Sequence, residues 1–376
     1  MVYLDYSATT KTRSEVLESF VKASNDFIGN PNSLHSLGVK SKKIIDAAGD
    51  QIANMLNIKR ESIIYTSGST EANNLAIKGI CEKYKNRGMH ILTTQFEHSS
   101  IYGPIDYLID KGYSVDFVKL DKNGLVDLED LKRLIRPDTI LVSINAVNSE
   151  LGIMQKIDSI AAVIKECNKN CFFHSDMTQA IGKVNVDLSL VDLASFSAHK
   201  FFGIKGIGVL IKNDKVELTP LIHGGKSTTI YRSGTPCVAL IVSLAKALRL
   251  ALENLDDKYN KVKEYNEYLK ENLKKYDKVK INSNECSIPH ILNISVLGVK
   301  PETMLHALEE YDIYISTQSA CSSNNSKSKA VYALTLDDLR STSSIRISLS
   351  HITTKKELDY FLESFDTCYR KLTCLR

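Results

Sequence analysis

Between about residue 60 and residue 212, short apolar runs alternate with longer amphipathic stretches, and no other feature restricts the fold as tightly. The runs Ser62-Ile-Ile-Tyr-Thr66, His90-Ile-Leu-Thr-Thr94, Ser114-Val-Asp-Phe-Val118, Thr139-Ile-Leu-Val-Ser-Ile144, Cys171-Phe-Phe-His-Ser-Asp176, Leu193-Ala-Ser-Phe-Ser197 and Gly208-Val-Leu-Ile211 read as buried strands. Helical stretches at 71–86, 102–111, 127–135 and 159–168 separate them. This alternation predicts an α/β fold, a mostly parallel sheet with helices on both faces. Ligands of such sheets bind outside the carboxyl ends of the strands. Ser67-Gly68, Glu97-His98, Asp176 and Ser197 all follow strand ends, so they can converge.

The remainder reads differently. Residues 237–275 form a long helical region that begins apolar and becomes heavily charged, a solvated helix face rather than a binding patch. After residue 280 come a strand at Ile291, a helix at 301–310, a strand at Tyr314, a polar loop carrying Cys321, a strand at Ser344 and a closing helix at 355–372. The expected organisation is an N-terminal segment (1–15) packing with the small domain, a large domain (16–252) and a small α+β domain (253–376). With 48 basic and 44 acidic side chains the net charge is +4, too balanced to make nucleic acid or a membrane a main partner. The start of the chain lacks a basic and an apolar region of the signal-peptide kind, and the eight cysteines are scattered, so a reduced, cytoplasmic setting is expected. Cys167 and Cys171 have no second Cys/His pair to complete a zinc site.

The chemistry centres on Lys200, which closes Ser195-Phe-Ser-Ala-His-Lys200 and follows Asp176 in His174-Ser-Asp-Met-Thr-Gln179. A lysine can hold an aldehyde cofactor covalently, and an aspartate from a neighbouring strand can keep a pyridine nitrogen protonated; together they describe a pyridoxal phosphate (PLP) site. Ser67-Gly-Ser-Thr-Glu71 stands between a strand and a helix, where backbone N–H groups can cradle a phosphate, although the same residues also make a plain helix cap. His98 reads as a ring stacked on the cofactor and able to pass protons, Gln179 as a donor to its phenolic oxygen, and Ser197 as a further phosphate contact. Arg346, in Ser344-Ile-Arg-Ile-Ser348, is suited to a substrate carboxylate, although an arginine on an edge strand is more often at the surface. Cys321 has Ser and Asn neighbours and no apolar periodicity, which points to a reactive thiol.

These segments together resemble cysteine desulfurases of the NifS/IscS type, in the class V aminotransferase group of PLP enzymes. The resemblance runs from Tyr3-Leu-Asp-Tyr-Ser-Ala-Thr-Thr10 through Gly29-Asn-Pro-Asn-Ser-Leu-His35, Thr66 to Ala72, Glu97-His98, His174 to Gln179, Ser195 to Lys200 and Arg232-Ser-Gly-Thr235 to Gln318-Ser-Ala-Cys321. It implies the PLP-dependent transferase fold (fold type I) and a homodimer. Lys200 would bind the cofactor and His98 stack on it, with Asp176 and Gln179 holding the ring and Asn148 and Ser149 as further cofactor contacts. Ser69, Thr70, Ser197 and His199 would take the phosphate, joined by Thr235 from the other subunit. Arg346 and Asn30 would contact L-cysteine, and Cys321 would be the nucleophile that receives sulfur and passes it to an acceptor protein in iron–sulfur cluster assembly or tRNA thiolation. The resemblance implies no metal in the resting enzyme, with Cys321 a possible ligand only during cluster handover. Ser149 replaces a family Asn, Lys226 and Thr228 a Gly and a Glu, and Ser350-His351 a Gly-Arg; the family's Glu-Pro-Ser after the cysteine is missing. A selenocysteine lyase or other PLP lyase, and a non-catalytic scaffold, are the competing readings.

Overall fold

The computed structural model describes residues 1–317 and 327–373. All seven runs expected to be strands lie in one seven-stranded sheet. Across the sheet the order is Ile63–Thr66, Gly208–Lys212, Leu193–Ser197, Phe172–Asp176, Thr139–Ser143, His90–Thr93 and Ser114–Phe117. Gly208–Lys212 runs antiparallel to both neighbours, while the other pairs are parallel. The link from Ser197 to Gly208 is too short for a crossover helix, so the chain doubles back.

Successive side chains point to opposite faces of this sheet. Ile63, Leu92, Val142, Phe173 and Phe196 enter one core, beneath helices Ser36–Leu56, Ile157–Cys167 and Val238–Leu252. Ile64, Ile91, Leu141, Leu193 and Leu210 enter the other, beneath Ser69–Tyr84 and Ser99–Ile109. Burial on both faces explains why six of the strands read as continuous apolar runs; Ser114–Phe117, expected to be buried, is an edge strand with Ser114 and Phe117 exposed.

The long helical region is two helices, not one. Val238–Leu252 is almost wholly buried, whereas Leu255–Leu273 buries a single stripe including Leu255, Val262, Leu269 and Leu273. The chain changes direction between them at Asn254, whose φ of 49° is one that asparagine tolerates better than most residues. The charged stretch is the outer face of the second helix.

A further core joins Val2 and Leu4 to Val262, Leu292, Ile294, Ile345, Ile347, Phe361 and Phe365. It lies against a three-stranded antiparallel sheet of Ser344–Ser348, Ile291–Val296 and Val279–Ile281 and the helix Lys355–Thr373. The first strand, Val2–Tyr3, pairs in parallel with Ile313–Tyr314. Among the described residues no helix is long and apolar enough to cross a membrane.

Candidate active site

The carboxyl edge of the large sheet, the start of helix Ser69–Tyr84 and the N-terminal segment enclose a cavity of about 210 Å³. Ser69, Thr70, His98, Ser149, Asp176, Gln179, His199, Lys200 and Arg346, all singled out from sequence, line it.

Lys200 closes the short 3₁₀ turn Ala198–Lys200 at the end of strand Leu193–Ser197. Its Nζ donates to the carbonyls of Ser7 (2.7 Å) and Ala8 (2.8 Å), which aim the amine from the N-terminal segment. Asp176 ends the adjacent strand and is only 7% exposed. Its Oδ2 accepts from Asn73 Nδ2 (2.8 Å) and its Oδ1 from the Thr178 amide (2.9 Å), so the buried charge is compensated. His98 caps helix Ser99–Ile109, its Nδ1 accepting from the Ser100 amide at 3.1 Å. Burial holds the His98 pKa below the ordinary histidine range, only partly opposed by Asp176.

At the other end, the Ser69 amide donates to Ser197 Oγ (2.6 Å), and the helix start adds its partial positive charge. A side chain at Gly208 would bring its Cβ to 2.6 Å from the Gly68 backbone, so only glycine lets this strand lie against the helix start. Glu71 also accepts from the Ser67 amide (2.7 Å), so the helix cap and the anion-facing turn coexist. His199 contacts Thr9 Oγ1 at 3.1 Å. Burial, then Lys200, Lys205 and Lys183, push its pKa down to about 4.

Arg346 lies on an edge strand yet is 1% exposed, contrary to the usual behaviour of such an arginine. The N-terminal segment covers it: Nη2 pairs with Asp5 Oδ1 at 2.9 Å, and Nη1 donates to the Ser149 carbonyl at 2.8 Å. Position 149 therefore holds Arg346 through its backbone, which its side-chain identity does not alter.

Other expected residues are placed differently. Gln179 reaches the cavity wall, but its Nε2 donates to the Ser7 carbonyl (2.9 Å) and its Oε1 accepts from Lys183 Nζ. Asn148 builds the turn, its amide donating to the Phe96 carbonyl (2.9 Å) and accepting from the Glu150 (3.0 Å) and Leu151 (2.7 Å) amides. Asn30 is exposed and accepts from the Asn32 amide, away from the cavity. Thr235 is exposed too, on a loop anchored by the Arg232–Glu71 pair at 2.9 Å; Lys226 and Thr228 are also exposed. Cys321 lies outside the described residues.

Sequence reasoning gave no role to the Ser7 and Ala8 carbonyls, Asn73, Asn145 or Thr178. Asn73 had a signal: it falls on the buried stripe of its helix with Ala76, Ile77 and Ile80, where a polar residue needs partners. Among the described residues, Arg346 Nε, Asn145 Oδ1 and Thr178 Oγ1 are buried in this wall without a hydrogen-bond partner. Such groups are costly unless a ligand meets them. An amine, a buried carboxylate and a phosphate-sized helix start, with donors and acceptors left open between them, fit PLP.

Fold and site thus define a fold-type-I PLP enzyme. The sequence profile of the class-V aminotransferases matches residues 2–361. The Dictyoglomus turgidum protein named cysteine desulfurase IscS is 37% identical over 99% of this chain and 95% of its own. A solved NifS-like protein superposes with a TM-score of 0.94 at 35% identity, covering 99% of this chain and all of that one. A structure described as SspA in complex with cysteine superposes with a TM-score of 0.82 at 30% identity, covering 94% of this chain and 100% of that one. The chain belongs to the class-V aminotransferase family, among its NifS/IscS-type cysteine desulfurases, which are PLP-dependent.

Proposed function

We propose that this protein converts L-cysteine to L-alanine with PLP and leaves the sulfur as a persulfide on Cys321. One observation carries the reading: the Lys200 amine, the Asp176 carboxylate, the His98 ring and the Arg346 guanidinium line one cavity. Bound PLP supplies an electron sink for the substrate's α-carbon. Asp176 would hold the ring nitrogen, and Ser69, Thr70 and the helix start would take the phosphate. Arg346 keeps two contacts to the protein and offers Nε to the substrate carboxylate. Lys200 or His98 moves the α-proton. The Cys321 thiolate attacks the substrate sulfur; the new S–S bond forms as the C–S bond breaks, and protonation of the remaining three-carbon fragment gives alanine. The persulfide sulfur then passes to an acceptor protein, in iron–sulfur cluster assembly or tRNA thiolation, within the cytoplasm.

The exposed positions of Asn30 and Thr235 suit residues that serve the site of a second copy, so a homodimer is part of the proposal. So is the division into 1–15, 16–252 and 253–376, supported by the separate core that gathers Val2, Leu4 and the C-terminal elements. The test compares wild type with Cys321→Ala, loaded with PLP and given L-cysteine. The variant is expected to retain the cofactor's visible absorbance and to lose persulfide formation. Full-rate alanine production from cysteine in the variant would refute the role of Cys321; a wild type that cannot take up PLP would refute the whole reading.

A further inference from the structure

Behind the cavity wall a continuous chain of buried polar side chains ends on both Asp176 and His98. Ser143 Oγ lies 2.9 Å from His174 Nδ1, and His174 Nε2 lies 3.3 Å from Ser195 Oγ. Ser195 Oγ donates to Asn73 Oδ1. Asn73 Nδ2 then donates twice, to Asp176 Oδ2 at 2.8 Å and to Ser100 Oγ at 2.9 Å. Ser100 Oγ lies 2.9 Å from His98 Nδ1. Ser143, His174, Ser195 and Asn73 are wholly buried, so water does not substitute for any link.

Counting protons gives this chain one direction. Asn73 must turn its NH₂ toward Asp176, since the flipped amide would set its oxygen against a carboxylate. Its oxygen then requires a proton from Ser195, whose single hydroxyl proton is thereby used. Ser195 must accept from His174 Nε2–H, and burial keeps His174 neutral, its pKa lowered to about 4. His174 Nδ1 therefore accepts from Ser143. At the other end, Ser100 Oγ accepts from Asn73, so its own proton is available for His98 Nδ1. The Ser100 backbone amide donates to the same nitrogen, a second constraint that agrees with the first. A neutral His98 with both donors on Nδ1 carries its proton on Nε2.

We propose that Asn73 is a positioning residue for the reaction: its two N–H groups fix the Asp176 carboxylate and, through Ser100, hold His98 as the Nε2–H tautomer. His98 then presents a donor, not a lone pair, to the cavity. The α-proton accordingly goes to the Lys200 amine, and His98 stabilises or protonates charge that develops on the substrate. The inference rests on the PLP reading and deepens it.

The test uses the PLP-loaded enzyme labelled with ¹⁵N-histidine, the His98 signal being identified by its loss in His98→Gln. Wild type should show a protonated Nε2 and a bare Nδ1 at neutral pH; a protonated Nδ1 overturns the tautomer assignment. Cofactor dissociation is then measured by absorbance for Asn73→Ala and for Ser100→Ala. Removing a hydrogen bond to a charged group should weaken PLP retention about 10- to 100-fold in Asn73→Ala. Ser100→Ala, which keeps the Asp176 contact, should stay within about threefold of wild type and show an increased share of the Nδ1–H tautomer. Should Asn73→Ala fold poorly, Ser195→Ala removes the donor that anchors the Asn73 amide oxygen and should weaken PLP in the same direction. Wild-type PLP binding with an unchanged dissociation constant in both Asn73→Ala and Ser195→Ala would overturn the inference; absent wild-type binding would instead overturn the PLP reading.

Discussion

Arg346→Lys separates charge from geometry at the substrate end of the site. The guanidinium holds Asp5 through Nη2 and the Ser149 carbonyl through Nη1, and its Nε, buried in a residue of the cavity wall, has no partner among the described residues. A lysine keeps the charge but has no planar fork, so satisfying Asp5 withdraws the ammonium from the cavity. A hydrogen bond to a charged group contributes about 1.5–3 kcal/mol, so KM for L-cysteine should rise about 10- to 150-fold. The substrate carboxylate does not change in the reaction, so kcat should move little, the mark of binding shared by ground and transition states. Alanine formation is measured against cysteine concentration, with cysteamine, which lacks the carboxylate, as the comparison. Wild type should strongly prefer cysteine, and the variant should lose most of that preference. Arg346→Ala adds a folding cost of about 3 kcal/mol, near the low end for a broken buried pair because the Asp5 side chain keeps 19% exposure. An unchanged cysteine-to-cysteamine ratio in Arg346→Lys would show that the carboxylate is bound elsewhere.

Three further expectations concern stability and the cofactor end. Lys183 is buried beside Lys200 and Arg346, and burial first, then those charges, hold its pKa well below the usual lysine value of 10.5. The unfolded chain therefore binds the extra proton, so its ammonium lowers stability at neutral pH and the cost disappears only above 10.5. Lys183→Met should raise the denaturation midpoint at pH 7, with the gain shrinking toward pH 10.5; a midpoint difference that does not vary with pH would contradict this. Glu97 is shifted the other way, burial raising its pKa from 4.5 to about 8, so wild-type stability should fall as pH rises between those values. Relative to wild type, Glu97→Gln should gain on the order of 4 kcal/mol across that window, read from denaturant curves at pH 4.5 and pH 9. Gly208→Ala should drive a methyl into the Gly68 backbone, cost about 1–3 kcal/mol and loosen PLP retention, measured by absorbance after dialysis.

The parts of this fold that follow from local pattern were legible. Six of the seven strands are buried on both faces, so their apolar runs stood out, and the carboxyl-edge rule pointed to a convergence of Asp176, Ser197, Glu97-His98 and Ser67-Gly68. What stayed hidden depends on distant chain. The antiparallel course of Gly208–Lys212 follows from the length of a connection, not from its own residues. Arg346 looks like a surface arginine until residue Asp5 covers it. Gln179 and Asn148 carry amides that could serve a ligand, and only their neighbours show them engaged with Ser7, Lys183 and Phe96. Asn73 could have been noticed as a polar residue on an apolar stripe, but its partners Ser100, Asp176 and Ser195 come from three other segments.

The N-terminal segment is where these long-range dependencies meet. Val2 and Leu4 belong to the core of the C-terminal elements, while Asp5, Ser7, Ala8, Thr9 and Thr10 contact Arg346, Lys200, Gln179 and His199. One short N-terminal stretch, a strand at Val2–Tyr3 followed by a turn, thus sets Arg346 and Lys200 relative to each other. Deleting residues 1–10 would uncover Arg346, release the Lys200 amine from both carbonyls and expose the apolar surface under Leu4. Burying Leu4 alone contributes about 2–3 kcal/mol, an amount a large chain can lose and still fold. The shortened protein should therefore keep most of its helical circular dichroism and lose PLP retention and alanine formation together. Were it to bind PLP as tightly as the full chain, the carbonyls of Ser7 and Ala8 would be bystanders in orienting Lys200.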